Sequence, residues 1–479
     1  MFSSYKRLIL YFFILINFGI LDCIEQKALW VTPWDMTSSE MIDRVVENAY
    51  SWGITDLLVE VRYRGDALYI PNKRVKTYIN NEPISYLIEG KQIDPLEEFI
   101  AKAKKKNIKV HAWVTVLVIT PRDLSNVCSS HLYYQNPDWL TYNNLDERIT
   151  HLKFEGAYLD PGLYEVRNYL VNVFSDIVSN YNIDGLHLDY IRYPNSNYGY
   201  NPISIKRYDD LLRIIKDIDF VEWKEKQITS LISQINQSVK RIKPNLILSA
   251  AVMPDIDYAV VKYSQNWFDW LNQNIIDKVY LMAYQTDDYA LSSTMNKIPD
   301  KYNDKIVVGL RAWSDNNNYS VNEIVSKINI ITDKQVNNQY NGISFFSYGG
   351  IIQRNYQSAL LSLNVLQENY QEETNSLDLF FLERFMPLEI NQYIKTKIYS
   401  IGNQWYLSIT NLSHFQGSWK LYDDADKLIT EGLLDKTVLN FVLPEFLFTK
   451  DRLILTYNLN EKDYKKVINL NELSSLYKN

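Results

Sequence analysis

Three short apolar runs carry polar or ionisable side chains at alternate positions. In Gly185-Leu186-His187-Leu188-Asp189 the leucines share one face of an extended chain, and His187 and Asp189 share the other. In Asp56–Arg62 the same alternation turns Leu57, Val59 and Val61 outward and Glu60 and Arg62 inward. In Ile108–Val114 it turns Val110 and Ala112 outward and His111 and Trp113 inward. Carboxyl groups converging this way suit acid/base hydrolysis, in which a protonated acid protonates the leaving oxygen and an ionised partner activates water or attacks the reacting carbon. Asp189 is the leading candidate, and Glu60 is the partner on the correct face. Asp160, Asp255 and the Asp287-Asp288 pair are the other candidates for the second group. Arg62 and His111 beside Glu60 would keep it ionised, which makes Glu60 the nucleophile or base and Asp189 the acid. Structural alternatives stand beside these roles: an ion pair of Glu60 with Arg62, a satisfied core histidine at His111, and a turn residue at Asp184.

The elements that must position these residues repeat one rhythm of apolar strand, loop and amphipathic helix. Strands are expected at Ala28–Pro33, Asp56–Arg62, Ile108–Val114, Gly185–Ile191, Leu246–Met253, Lys278–Tyr284, Ile306–Arg311 and Gly342–Tyr348. Strand–helix alternation requires a parallel sheet, and this many repeats predict closure into a (β/α)8 TIM barrel, an α/β fold whose chemistry sits in the loops after the strands. The longest such loops are Thr120–Asp160 and Tyr193–Glu222. From about residue 377 alternating segments follow one another without helices, the pattern of a small antiparallel β-sandwich-like domain. The expected division is residues 1–23 as an export signal, 24–376 as the barrel and 377–479 as the β domain.

With a barrel, further residues fall at strand ends or in the loops beyond them. Asp66, Asp160, His187 and Arg192 join Arg62, His111 and Trp113 as candidate substrate contacts. Trp34, Trp113, Tyr284, Trp313 and Tyr348 are candidate platforms for sugar rings, whose C–H faces pack on aromatic faces. Arg311 could take a carboxylate.

Composition narrows the class. The 479 residues are 46% hydrophobic and 22% charged, which excludes disorder, collagen and coiled coil as the main state. A net charge of −7 argues against sequence-independent nucleic-acid binding, which needs a basic footprint. Aromatics reach 14%, with 37 Tyr and 11 Trp. Five histidines and two cysteines show no zinc spacing, and neither a Gly-rich phosphate loop nor a Gly-x-Ser-x-Gly elbow occurs, so no cofactor or metal is expected. At the N-terminus Lys6 and Arg7 precede an apolar run, Leu8–Leu21, and then Cys23, an export pattern in which Cys23 is a candidate lipid anchor.

His111-Ala112-Trp113, Leu159-Asp160-Pro161-Gly162 with Glu165-Val166-Arg167, and the run Asp184 to Pro194 together resemble the glycosyl hydrolase-like 10 family of bacterial envelope proteins. Arg62 with Gly65-Asp66-Ala67 and the Trp223 to Pro244 segment extend the resemblance over residues 28 to 350. It implies a TIM barrel with glycosidase activity on an envelope or extracellular glycan, in some members peptidoglycan strands. Two departures stand out: such proteins often carry Gln where Glu60 stands and a second Asp where Tyr190 stands. The first makes Glu60→Gln the expected milder change. The second favours an alternative, a non-catalytic glycan-binding or envelope-scaffold protein. The Asp184–Ile191 segment is also similar to the Asp-x-x-Asp-x-Asp-x-Glu motif of family 18 chitinases, but His187 and Ile191 replace its middle Asp and its Glu.

Overall fold

The computed structural model describes residues 26–360, apart from 216, 285–286, 314–318, 333–339, 341 and 358, together with seven strands between 394 and 469. The expected export segment and Cys23 lie outside the described residues, as does the expected boundary at 376/377.

Nine strands form the first sheet: β1 (Gln26–Val31), β2 (Asp56–Tyr63), β3 (Asp66–Ala67), β4 (Lys109–Thr115), β5 (Gly185–Asp189), β6 (Ile247–Val252), β7 (Lys278–Met282), β8 (Ile306–Arg311) and β9 (Gly342–Phe346). All but the two-residue β3 are parallel, in the order β1-β9-β8-β7-β6-β5-β4-β2, and β1 pairs back on β2. That last pairing closes the barrel at the eight strands expected. Helices follow from capping and patterning. Asp94 accepts from the Glu97 amide ahead of Pro95–Lys105, and Asp219 accepts from the Glu222 amide ahead of Phe220–Ile242. The apolar stripe of the second helix, including Ile228, Leu231, Ile232 and Ile235, is fully buried.

Register fixes which side chains face the axis. Trp30 is level with Leu58, Glu60 with Trp113, Trp113 with His187, and Thr115 with Asp189. A cluster of Ala28, Trp30, Leu58, Trp113, Ala251, Tyr280 and Val307 fills the interior, with Met282 and Phe346 packed against it. Gly185 is required where it stands: a Cβ there would lie 2.1 Å from His111 Nδ1.

A second unit, Val365–Asn479, separates from Met1–Asn364. Its described strands form two antiparallel sheets: Ile394–Ile401, Gln404–Asn411 and Val438–Leu443 in one, and Gly417–Tyr422, Leu428–Leu433, Arg452–Leu459 and Lys462–Asn469 in the other. The strand Lys462–Asn469 is missing from the sequence reading. Three lysines interrupt its pattern, which suits a strand that, among the described residues, pairs with Arg452–Leu459 alone at the sheet edge.

Candidate active site

Glu60 and Asp189 stand on inward positions near the C-terminal ends of β2 and β5, and both are buried. Their environments differ. Asp189 accepts from the indole N–H of Trp113 at 3.2 Å and from the backbone N–H of Tyr190 at 2.7 Å. Burial raises its pKa above the ordinary carboxylate range, opposed by the Tyr190 amide, the Arg192 charge, the Trp113 donor and Arg64. Among the described residues Glu60 has no such donors, and burial, reinforced by the Asp189 charge, pushes its pKa well up. Only Arg64 pulls appreciably the other way. Burial thus raises both carboxyls, with N–H donors and cations opposing the rise at Asp189 and a like charge adding to it at Glu60, and unlike environments of this kind can separate the roles of two carboxyls.

The expected neighbours of Glu60 are displaced, and for Arg62 the reason is a β-bulge. The β2–β4 register shifts between Glu60 and Arg62, so Glu60 is level with inward Trp113 while Arg62 is level with outward Val114. Arg62 therefore leaves the axis. Its Nε donates to both Glu82 carboxylate oxygens, at 2.7 and 2.9 Å, and its guanidinium lies 6.0 Å from the Phe174 ring centre. It is an internal clamp between β2, Glu82 and the helix Tyr164–Asn180. The guanidinium near the carboxyls belongs to Arg64, which sequence reasoning passed over.

His111 also belongs elsewhere. Its Nε2 lies 2.9 Å from Asp56 Oδ1, and Asp56 also accepts from Gln26 at 3.0 Å, near the N-terminal end of the barrel. His187 faces the axis one level below Asp189. Its Nδ1 is 2.8 Å from Ser249 Oγ, its ring meets Trp30 and Tyr280 edge-on, and burial lowers its pKa well below the usual value, so it is a neutral core group. Asp160 is fully buried and accepts from Thr141 Oγ1, Ser204 Oγ and the Gly162 amide, which ties the two long loops together. Tyr348 accepts from Asn48 at 2.9 Å and packs on Trp52, behind the mouth. Asp184 bonds the Val110 amide, the turn role anticipated for it.

The remaining candidates converge more nearly as expected. Tyr284 lies 5.0 Å from Trp313 and 5.9 Å from Phe346, and Phe346 lies 6.1 Å from Trp113. These centroid separations describe an aromatic floor around Asp189, whose charge acts on Tyr284. Arg192 packs over Tyr190 at 4.9 Å and Tyr263 at 4.8 Å. Arg64 takes the same Tyr190 ring at 5.5 Å, so two guanidinium groups flank the tyrosine that follows Asp189. Tyr190 has φ 52°, a left-handed conformation that swings its ring out of the strand direction. Arg311 is engaged by the Trp313 carbonyl at 3.0 Å and by the Trp313 and Tyr319 rings. Burial pushes Asp66 up to about 8, and its charge acts on Glu60. Among the described residues, no cluster of three or more His, Cys, Asp or Glu has the placement of a metal site.

Arg64, Tyr63, Tyr190 and Phe346 were missed as a group. The signal for Arg64 was present in Arg62-Tyr63-Arg64-Gly65, but strict alternation gave the inward position to the wrong arginine.

Among solved structures, the PgaB (BpsB) glycoside hydrolase domain from Bordetella bronchiseptica has a similar fold, with a TM-score of 0.52 at 12% identity over 71% of this chain and 98% of that one. Alpha-L-fucosidase isoenzyme 2 from Paenibacillus thiaminolyticus gives 0.51 at 12% identity, over 73% of this chain and 50% of that one. In sequence, glycosyl hydrolase DigH of Escherichia coli is 25% identical over 276 residues, 51% of this chain and 57% of the relative. Glycosyl hydrolase YngK of Bacillus subtilis is 26% identical over 209 residues, 42% of this chain and 37% of the relative. The matches thus span less than two thirds of either relative's length. Residues 26–330, nearly the whole of the described barrel, match the family described as glycosyl hydrolase-like 10, and the chain belongs to that family.

Proposed function

We propose that this protein hydrolyses glycosidic bonds in a cell-envelope or extracellular glycan, with peptidoglycan strands as the leading substrate. The observation that carries the reading is the unequal treatment of two buried carboxyls at the C-terminal mouth: Asp189 receives two N–H donors, whereas Glu60 is raised by burial and by the Asp189 charge. Glu60 gives its proton to the leaving glycosidic oxygen as the C–O bond breaks. Asp189 either attacks the anomeric carbon or takes a proton from the attacking water, and the anomeric configuration of the product tells these apart. Trp113, Tyr284, Trp313 and Phe346 offer apolar faces to the sugar rings beside the reacting bond. Arg64 and Arg192 supply positive charge suited to a carboxylated sugar such as one bearing a lactyl group.

Release of reducing ends from purified peptidoglycan tests the reading, with Asp189→Asn as the control. A second reading, a glycan-binding scaffold without turnover, is favoured by Tyr190, which stands where the resembling proteins often carry a second Asp. It predicts no released ends and equal glycan affinity before and after Asp189→Asn.

The basic, apolar and cysteine-ended N-terminal segment supports an envelope location for this activity. Mass spectrometry of the native N-terminus tests it: a start at or near Cys23 supports export, and full-length unmodified protein in the cytosol refutes it.

A further inference from the structure

Trp34 is 51% exposed, an unusual state for the largest apolar side chain in a protein. It sits immediately beyond β1, at the C-terminal end of the barrel, on the short 3-10 turn Pro33–Asp35. That turn is held firmly. Pro33 fixes its first torsion, the Asp35 amide donates to the Thr32 carbonyl at 3.0 Å, and the Thr32 hydroxyl donates to Asp35 Oδ2 at 2.8 Å. The indole is therefore presented to solvent from a rigid backbone, so little ordering remains to oppose a ligand that stacks on it.

Among the described residues its ring neighbour is Tyr63, which continues inward. Trp34 and Tyr63 meet edge to face, with centroids 5.4 Å apart and planes at 73°. Tyr63 ends β2, carries the Arg64 guanidinium over its ring at 5.5 Å, and lies within reach of the Glu60 and Asp66 charges. An unbroken line of rings and guanidinium thus runs from the exposed indole to the two carboxyls. On the far side, the Tyr284–Trp313 pair lies beyond the ends of β7 and β8. In the closed ring of strands β7 stands opposite β2, so aromatic surfaces flank the carboxyls from both sides. A site for one terminal sugar needs a wall at one end. Platforms on both sides suit a chain that passes across.

We propose that Trp34 and Tyr63 form an outer sugar subsite, so that the mouth of the barrel holds a glycan chain of several pyranose units lying across the reacting bond. The ligand is a neutral or N-acetylated hexopyranose, whose C–H face covers the indole while a ring hydroxyl accepts from the indole N–H. This rests on the proposal of a glycan substrate, but it concerns binding and does not require turnover.

The test is binding of soluble peptide-free oligosaccharides of alternating N-acetylglucosamine and N-acetylmuramic acid, two to eight sugars long, measured by calorimetry on the full chain carrying Asp189→Asn. Affinity should rise with length. Adding Trp34→Ala should weaken the longest oligosaccharide by about tenfold, which corresponds to one good ring stack, and leave the disaccharide within about twofold. Trp34→Tyr should restore most of the loss, and unchanged thermal melting separates lost stacking from lost folding. Equal affinity of the Trp34→Ala protein for the longest oligosaccharide overturns the subsite, as does failure of the Asp189→Asn protein to bind any length. Length-dependent binding through Trp34 without cleavage by the wild-type protein would instead sink hydrolysis and leave the subsite standing.

Discussion

The indole N–H of Trp113 donates to Oδ2 of Asp189 at 3.2 Å, across neighbouring strands and inside the barrel. Among the described residues a donor is aimed at Asp189 and none at Glu60, and the proposed division of labour between the two rests on that difference. Trp113 also belongs to the interior aromatic cluster, so packing that orients the ring orients the donor as well.

Loss of either carboxyl should abolish most turnover for different reasons. Asp189→Asn keeps an acceptor for Trp113 and Tyr190, so melting should change little while cleavage falls by about 100- to 10,000-fold. Against the milder effect that the family resemblance implies, removing the proposed proton donor by Glu60→Gln should cost a similar factor on a natural glycan, yet recover on an aryl glycoside whose leaving group needs no proton. Full activity of Glu60→Gln on the natural glycan would show that protonated Glu60 serves only as a neutral hydrogen-bond donor, as glutamine would.

Replacing the donor alone is a finer probe. Trp113→Phe preserves a ring against Trp30 and Phe346 but removes the N–H, so the Asp189 anion loses support. The acid limb of the pH–rate profile should move upward by about one unit, with the alkaline limb unmoved. An unchanged acid limb would remove Asp189 from the role of working anion.

Asp66 gives a stability signature with a defined sign. Burial raises it from 3.8 to about 8. Between those values the unfolded chain has lost a proton that the folded chain keeps, so folding takes up a proton. Stability should fall as pH rises through that window and level off above it. Asp66→Asn should flatten the melting temperature against pH over the same range, whereas an undiminished slope would place the proton uptake elsewhere.

The Arg62–Glu82 pair should behave as a structural clamp. Both side chains are fully buried, with Arg62 Nη2 2.6 Å from Glu82 Oε1. Glu82→Gln leaves a buried guanidinium short of its counter-charge, and unfolding measurements should show a loss of about 3–5 kcal/mol. The kcat/KM per folded molecule should stay near the wild-type value. A selective loss of glycan affinity with normal stability would return Arg62 to the substrate.

The sequence by itself determined the barrel, because apolar runs separated by helix patterns call for a parallel sheet covered by helices, and eight such repeats are the number that closes a (β/α)8 barrel. It also determined that Glu60, Trp113, His187 and Asp189 face the axis, since alternation along each strand is a local property of extended backbone. What it could not determine was where alternation breaks or how deep each inward residue lies. One extra residue between Glu60 and Arg62 turns Arg62 outward to Glu82 and leaves Arg64 beside the carboxyls, and a bulge is visible only against the partner strand. His111 and Asp189 both point inward, but the stagger of neighbouring strands pairs His111 with Asp56 near the N-terminal end and Asp189 with Thr115 at the mouth. Protonation was likewise decided by tertiary structure. The charge on Glu60 depends on burial and on Asp189, more than a hundred residues away in the chain and close only after the barrel closes.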